Sequence, residues 1–237
     1  MEQTVNSYSA EMQDVSALTL MEGNGEKLSF LDIGCKDPKY CNNTFLLEEK
    51  GWEGVCVDLS DLSQEFKKER KTPFYQVDAT GDEFIEILKK HFPKRFIHYI
   101  SLDVDSASLD TLENLMRNNF HFGFMTFEHD IHWAMTYERS KILGDENWLC
   151  EGRTKDQIEN CKFKSKYILQ KKGYKLLFEN VCFNEESTGS WLHPWEDWWI
   201  NPSIFGYKFM TYLDPLVSKN LHFKDCFQRI LLSRHTA

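Results

Sequence analysis

The chain has 237 residues, of which 41% are hydrophobic and 27% charged, and 28 Lys+Arg against 37 Asp+Glu leave a net charge of −9. That composition excludes a disordered chain, a collagen-like chain and a disulfide-stapled miniprotein, and it suits one large domain or two small ones. The acidic balance argues against gripping nucleic acid through its phosphates, which calls for a basic surface, though a local basic patch stays open; a small-molecule, glycan or protein partner fits better.

The first twenty residues lack a basic stretch followed by an apolar run, so no secretory signal is expected. No apolar run reaches the roughly 20 residues of a membrane span. Cysteines at 35, 41, 56, 150, 161, 182 and 226 are odd in number and scattered, without a C-x-x-C pair. They predict reduced thiols in the cytoplasm and argue against a zinc knuckle.

Residues 7–20 are expected as an amphipathic helix within an N-terminal cover, 1–26. From Lys27 short β-rich runs (28–34, 53–59, 73–79, 96–104 and 122–130) alternate with the helical patterns FLLEEKGW, LSQEFKKER, DEFIEILKKHF and SLDTLENLMRNN. A helix over 154–172, closed by Gly173, leads to a sixth strand over 174–183. NEESTGSWLHPWEDWWINP reads as a loop or lid, and LHFKDCFQRILLSR as a terminal helix. There is no repeat, low-complexity stretch or linker. The expectation is one domain: a core over 27–183, then a lid and C-terminal elements over 184–237. Strand–helix alternation predicts a mostly parallel sheet with helices on both faces and ligands at the carboxyl ends of the strands.

Acids recur where those strands should end: Asp32, Asp58, Asp78, Asp103 with Asp105, and Glu128 with Asp130. One such acid is ordinary, since it can cap the next helix. Five in succession on one rim point to a polar cofactor with hydroxyls or a positive charge. After the first strand, Gly34 would let the chain pass close to a ligand. The dinucleotide fingerprint G-x-G-x-x-G is absent, because Cys35, Lys36 and Asp37 follow, which disfavours a nicotinamide enzyme. Asp32 would orient this turn or contact a ligand amine. Asp58 would accept from a ribose diol or cap the helix near Ser60, and Asp78 would meet an adenine amino group or close a turn with Thr80.

These residues carry a resemblance. FLDIG with DPKYCNNTFLLEEKGWEGVCVDLS, the Asn43-Thr44 pair, IHYISLDVDSASLDTL, MTFEHD, GYKLLFENV and WEDWW together resemble class I S-adenosylmethionine-dependent methyltransferases, and more narrowly the FkbM-type family, over residues 27–202. The resemblance implies a Rossmann-like class I methyltransferase fold, an α/β protein with a C-terminal lid. It implies that Asp32, Gly34, Cys35, Lys36 and Asn43 hold the methionine part of the cofactor. Asp58 and Leu59 would hold the ribose, Asp78 and Ala79 would lie near the adenine, and Asp103 would sit beside the sulfonium and the acceptor. Asp105-Ser106 departs from the Glu-Gly usual after the fourth strand, and the glycine-rich loop is reduced to Gly34.

Methyl transfer to a hydroxyl needs in-line placement and benefits from a base or a metal. Asp103, Glu128, His129 and Asp130 are the candidate bases. Asp103, Asp105, Glu128, His129 and Asp130 would also suit Mg²⁺ or Mn²⁺, although hydrogen bonding is the plainer alternative. Trp191, Trp195, Trp198 and Trp199, around His193, Glu196 and Asp197, would close over a sugar or similar acceptor, with His132, Trp133, Tyr137 and Arg139 opposite; core packing is the default for tryptophan. The lysine run from Lys162 to Lys172 reads as a solvated helix face. The expected activity is O-methylation of a sugar, glycan or natural product; the alternative is a catalytically silent binding module on the same fold.

Overall fold

The structure, a computed structural model, describes residues 6–23, 27–135, 153–184, 192–205, 209–210 and 218–236. Helix α1 (Gln13–Met21) precedes β1 (Ser29–Ile33), α2 (Phe45–Glu49), β2 (Glu53–Asp58), α3 (Ser63–Glu69), β3 (Phe74–Gln76), α4 (Asp82–His91), β4 (Phe96–Leu102), α5 (Ser108–Arg117) and β5 (His121–Glu128). Then come α6 (Lys155–Lys171), β6 (Lys175–Asn184), β7 (Leu192–Ile200), the short β8 (Ser218–Lys219) and α7 (Phe223–Thr236). One sheet runs β3-β2-β1-β4-β5-β7-β6-β8. Strands β1 to β5 pair in parallel, and β7 runs antiparallel between β5 and β6. This is a Rossmann-like α/β arrangement, mostly parallel, with helices on both faces.

The central strands are apolar on both faces because helices cover both. On one face Leu31, Val57, Ile100 and Trp199 meet Phe84 and Leu88 of α4, Leu112 and Leu115 of α5, and Leu169 of α6. On the other, Phe30, Tyr99, Phe124 and Trp198 meet Leu20 of α1, Leu47 of α2, Phe66 of α3, and Cys226 and Ile230 of α7. Helix α4 shows why such segments are helical. Phe84, Ile85 and Leu88 recur at helical spacing and are buried, and Lys89, Lys90 and His91 fill the last turn, where cations suit the helix dipole. Helix α6 starts on a capping box, with Thr154 accepting from the Gln157 N–H and the Gln157 side chain answering the Thr154 N–H.

Three expectations are corrected. The supposed lid over WEDWW is β7, an interior strand. Trp198 and Trp199 alternate onto opposite faces of the sheet at period 2, and both are fully buried. The sheet therefore extends beyond residue 183. Helix α1 begins at Gln13 rather than near residue 7, because Asp14 binds the preceding chain instead: its carboxylate accepts from Ser7 Oγ at 2.6 Å, the Tyr8 N–H at 2.8 Å and Ser9 Oγ at 2.8 Å. Residues 6–12 form a strap that turns through a left-handed Met12, φ 61°. Lys162 is buried rather than solvated. Among the described residues no helix is long and apolar enough to cross a membrane, and the six described cysteines are free thiols.

Candidate functional site

The strand order reverses between β1 and β4, which places the default ligand crevice of an open α/β sheet at their carboxyl ends. Register aligns those ends. Ile33 pairs with Val57 and with Leu102, and Leu102 with Phe127. The next residues, Gly34, Asp58, Asp103 and Glu128, therefore form a row across the rim. A cavity of about 690 Å³ opens over the β4–β5 part of that row. Lys36 and Asn43 from the β1–α2 turn, Asp103 and Glu128 from β4 and β5, and Glu11 and Glu196 from the strap and β7 line it.

The turn after β1 is built by buried polar groups. Gly34 has φ 81°, and a Cβ there would sit 1.6 Å from the Asp103 carbonyl oxygen. The close approach that glycine permits is thus to β4 rather than directly to a ligand. The Lys36 N–H donates to Asp58 Oδ2 at 3.0 Å, and the Ser60 N–H to Oδ1 at 2.8 Å. Asp58 therefore caps the turn while each oxygen keeps a free lone pair. Asn43 Nδ2 donates to Ser101 Oγ at 2.9 Å, tying the turn to β4.

Asp32 and Cys35 do not face the cavity. Asp32 is buried and accepts from Thr44 Oγ1 at 2.7 Å. Burial pushes its carboxyl up to about 6 against the pull of Thr44 and Arg70. Arg70 in turn donates to the Pro38 carbonyl at 2.9 Å, to Asn42 Oδ1 at 3.1 Å and to Glu48 Oε2 at 2.6 Å. Asp32 thus braces the turn through Thr44 and does not line the cavity. The Cys35 thiol is buried beside Cys56, and burial raises its pKa far out of the reactive range. At the β3 end Asp78 is exposed and accepts from the Thr80 N–H at 2.8 Å and Thr80 Oγ1 at 2.7 Å, which hold its carboxyl below the usual range. Ala79 is buried, with its carbonyl accepting from Asn114 Nδ2 at 3.3 Å. Leu59, beside Asp58, is 68% exposed.

Four carboxyls meet in the cavity wall. Burial raises the pKa of Asp103, offset by hydrogen bonding to Glu128 and by the Lys36 ammonium. Burial, then the Asp103 and Asp130 charges, raise Glu128 further. Adjacent carboxyls oppose one another's ionisation, and Glu128 stands between two of them, Asp103 and Asp130. Glu196, register partner of Glu128, is raised by burial and by Glu11, and accepts from Trp198 Nε1 at 2.6 Å. Glu11 is raised to about 7 by burial and by Asp103.

His129 and Asp130 leave this wall. His129 is buried, its Nδ1 accepts the Ile131 N–H at 3.2 Å, and its Nε2 lies 3.2 Å from Asp197 Oδ1 and 3.1 Å from Lys162 Nζ. Burial keeps the ring neutral. Asp130 pairs with Arg153 at 2.8 Å. Neither lines the cavity, although the Asp130 charge still acts on Glu128. Asp197 and Trp198, expected against substrate, are sealed inside: Asp197 accepts from the Asn180 N–H at 2.8 Å and from Lys162 Nζ at 3.1 Å, and Trp198 packs on Phe124 and Phe178. Trp195 does line the cavity, with Phe183 at a ring distance of 4.8 Å. His132 lies 4.2 Å from Trp195 and 5.8 Å from His193, and burial pushes its pKa down to about 4. Trp133 is 36% exposed.

Asp105 faces a separate 230 Å³ cavity shared with Arg153. Trp191, Tyr137, Arg139 and Cys150 lie outside the described residues. The five residues considered for Mg²⁺ or Mn²⁺ are not gathered: among the described residues no group of three or more His, Cys, Asp or Glu is placed to hold a metal ion. Glu11 and the buried Lys162 were not foreseen. Neither has a sequence signal, since one precedes the core and the other sits in an ordinary lysine-rich helix.

No protein-family model matches the chain, and no curated protein matches it. Among solved structures, a putative hemolysin from Streptococcus thermophilus is 12% identical, with 100% of this chain and 77% of that one covered and a TM-score of 0.48. The plantazolicin methyltransferase BamL, in complex with a triazolic desmethylPZN analog and SAH, is 9% identical over 81% of this chain and 85% of that one, with a TM-score of 0.38. The plantazolicin methyltransferase BpumL in complex with SAH is 11% identical over 81% and 82%, with a TM-score of 0.36. At these scores the likenesses carry neither a fold nor an activity to this chain.

Proposed function

We propose that the protein is a cytoplasmic S-adenosylmethionine-dependent methyltransferase that acts on a hydroxyl of a sugar, glycan or natural product. The observation that carries this is the row Gly34, Asp58, Asp103 and Glu128 at the β1/β4 switch point, continuous with an acid- and aromatic-lined cavity. The residues fit the cofactor. Asp58 keeps lone pairs for a ribose diol, the exposed Leu59 side chain offers an apolar face for a purine, and Lys36 with Asn43 suits a carboxylate. The free cysteines fit a reducing compartment.

When bound, S-adenosylmethionine supplies a methyl group already activated by its sulfonium. The chain's own residues then bind, orient and take a proton. Asp103, which lines the cavity beside the Lys36 ammonium, is the carboxylate that would accept the hydroxyl proton of an acceptor seated there. Trp195 and Phe183 supply aromatic faces for the C–H side of a sugar ring. Isothermal titration with S-adenosylhomocysteine tests the reading. Wild type is expected to bind, and Asp58→Ala to bind at least about tenfold more weakly, because two charge-assisted hydrogen bonds are lost. No binding to well-folded wild type would overturn it.

A second reading, a silent binding module, is favoured by the sealing of His129, which removes the only imidazole among the candidate bases. Cofactor binding without methyl transfer to any glycan pool would select it.

A further inference from the structure

The strap is the part of the cavity wall that owes nothing to the α/β core. Asp14 clamps Ser7, Tyr8 and Ser9 at its N-terminal side. Gln13 fixes its other end: the Gln13 Nε2 donates to Glu11 Oε2 at 2.9 Å and to Glu196 Oε1 at 3.2 Å, while Gln13 Oε1 accepts the Glu11 N–H at 2.9 Å. A left-handed Met12 sits between Glu11 and Gln13. Three hydrogen bonds and an unfavourable backbone conformation thus hold one carboxylate over the cavity, where burial and Asp103 oppose its charge.

The cavity is not acidic throughout. Lys36 and Asn43 stand on the β1–α2 side, and the Lys36 ammonium acts on Asp103. The Trp195 indole N–H, in the same wall, is buried and meets no acceptor among the described residues, which suits an oxygen-bearing guest. A wall with carboxyls at one side, and two lysines, Lys36 and Lys224, with amide and indole donors elsewhere, complements a zwitterion rather than a simple cation.

Resting on the methyltransferase reading, we infer that Glu11 is a cofactor-binding residue supplied by the N-terminal strap: it takes the α-ammonium of the cofactor's amino-acid end, while Lys36 takes the α-carboxylate. An ammonium brought to Glu11 stabilises its ionised form and relieves the repulsion from Asp103 and Glu196. The strap closes over the site on the amino-acid end, and the adenosine end stays with Asp58 and Leu59.

The test compares two probes, S-adenosylhomocysteine and 5′-methylthioadenosine, which lacks the amino-acid end. Glu11→Gln is expected to weaken S-adenosylhomocysteine about tenfold or more, the scale of one charge-assisted hydrogen bond, and to leave methylthioadenosine within about twofold. Lys36→Met should show the same selectivity. Folding is not at risk in Glu11→Gln, because the amide removes a charge that the fold disfavours; its melting temperature at pH 8 should equal or exceed that of wild type. Equal affinity of Glu11→Gln and wild type for S-adenosylhomocysteine, or equal weakening of both probes, would overturn the inference and leave the methyltransferase reading standing. Failure of wild type to bind either probe would remove that reading, and this inference with it.

Discussion

Lys162→Met is expected to destabilise the protein by about 3–5 kcal/mol, the cost of leaving a buried charge without its partner. Lys162 Nζ lies 3.1 Å from Asp197 Oδ1, and both side chains are almost wholly inaccessible. It also donates to Asn180 Oδ1. Asn180 takes a left-handed φ of 56° within an irregular stretch of β6, and its N–H turns onto Asp197 at 2.8 Å. One ion pair therefore joins α6, β6 and β7, and through His129 the end of β5. Burial alone would raise Asp197, but His129, Lys162 and the Asn180 N–H together hold it well below the usual carboxylate range. Its stabilising contribution is present above the ordinary carboxylate pKa and is lost as pH falls toward the depressed folded value. The gap between wild type and Lys162→Met should accordingly narrow below about pH 4. Denaturant unfolding checks the magnitude. A loss under about 1 kcal/mol would show the pair to be energetically idle. Lys162→Met with Asp197→Leu should be less damaging than Lys162→Met alone, because an apolar pair leaves no stranded charge.

Gly34→Ala should be as damaging to stability and more damaging to binding. At φ 81° an alanine costs about 1–2 kcal/mol for its left-handed backbone. Its Cβ would also stand 1.6 Å from the Asp103 carbonyl oxygen, a backbone atom that cannot rotate away. Separating β1 from β4 at that point adds roughly 1–3 kcal/mol of overpacking. It also moves Lys36 and Asp103 apart, so S-adenosylhomocysteine affinity should fall by more than about tenfold, on the reading that these two ends bracket the cofactor. Gly173→Ala is the control. Its φ is 87°, but nothing lies within 4 Å of the added Cβ, so only the backbone cost remains. Equal melting temperatures for the two variants would mean that the β1–β4 contact relaxes freely.

Much of this molecule is local and therefore legible from the chain alone. Strands 28–34, 53–59 and 96–104 are apolar runs because central parallel strands are covered on both faces, and the structure places them at Ser29–Ile33, Glu53–Asp58 and Phe96–Leu102. Helix α6 is legible as the stretch 154–172 closed by Gly173, and the structure places it at Lys155–Lys171. The acids closing successive strands mark one rim because parallel strands end together. Tertiary structure decided the rest. WEDWW reads as polar and aromatic, and only the neighbours of Glu196 and Asp197 show that a strand can bury both acids: Gln13 and Trp198 satisfy one, and His129, Asn180 and Lys162 the other. The same long-range partners withdraw His129 from the rim, turn Asp32 into a scaffold for the loop and bring Glu11 over a cavity whose core begins sixteen residues later at Lys27. Periodicity reports which face of an element is apolar. Which buried polar group finds its partner depends on contacts between residues far apart in the chain, and no local pattern encodes them.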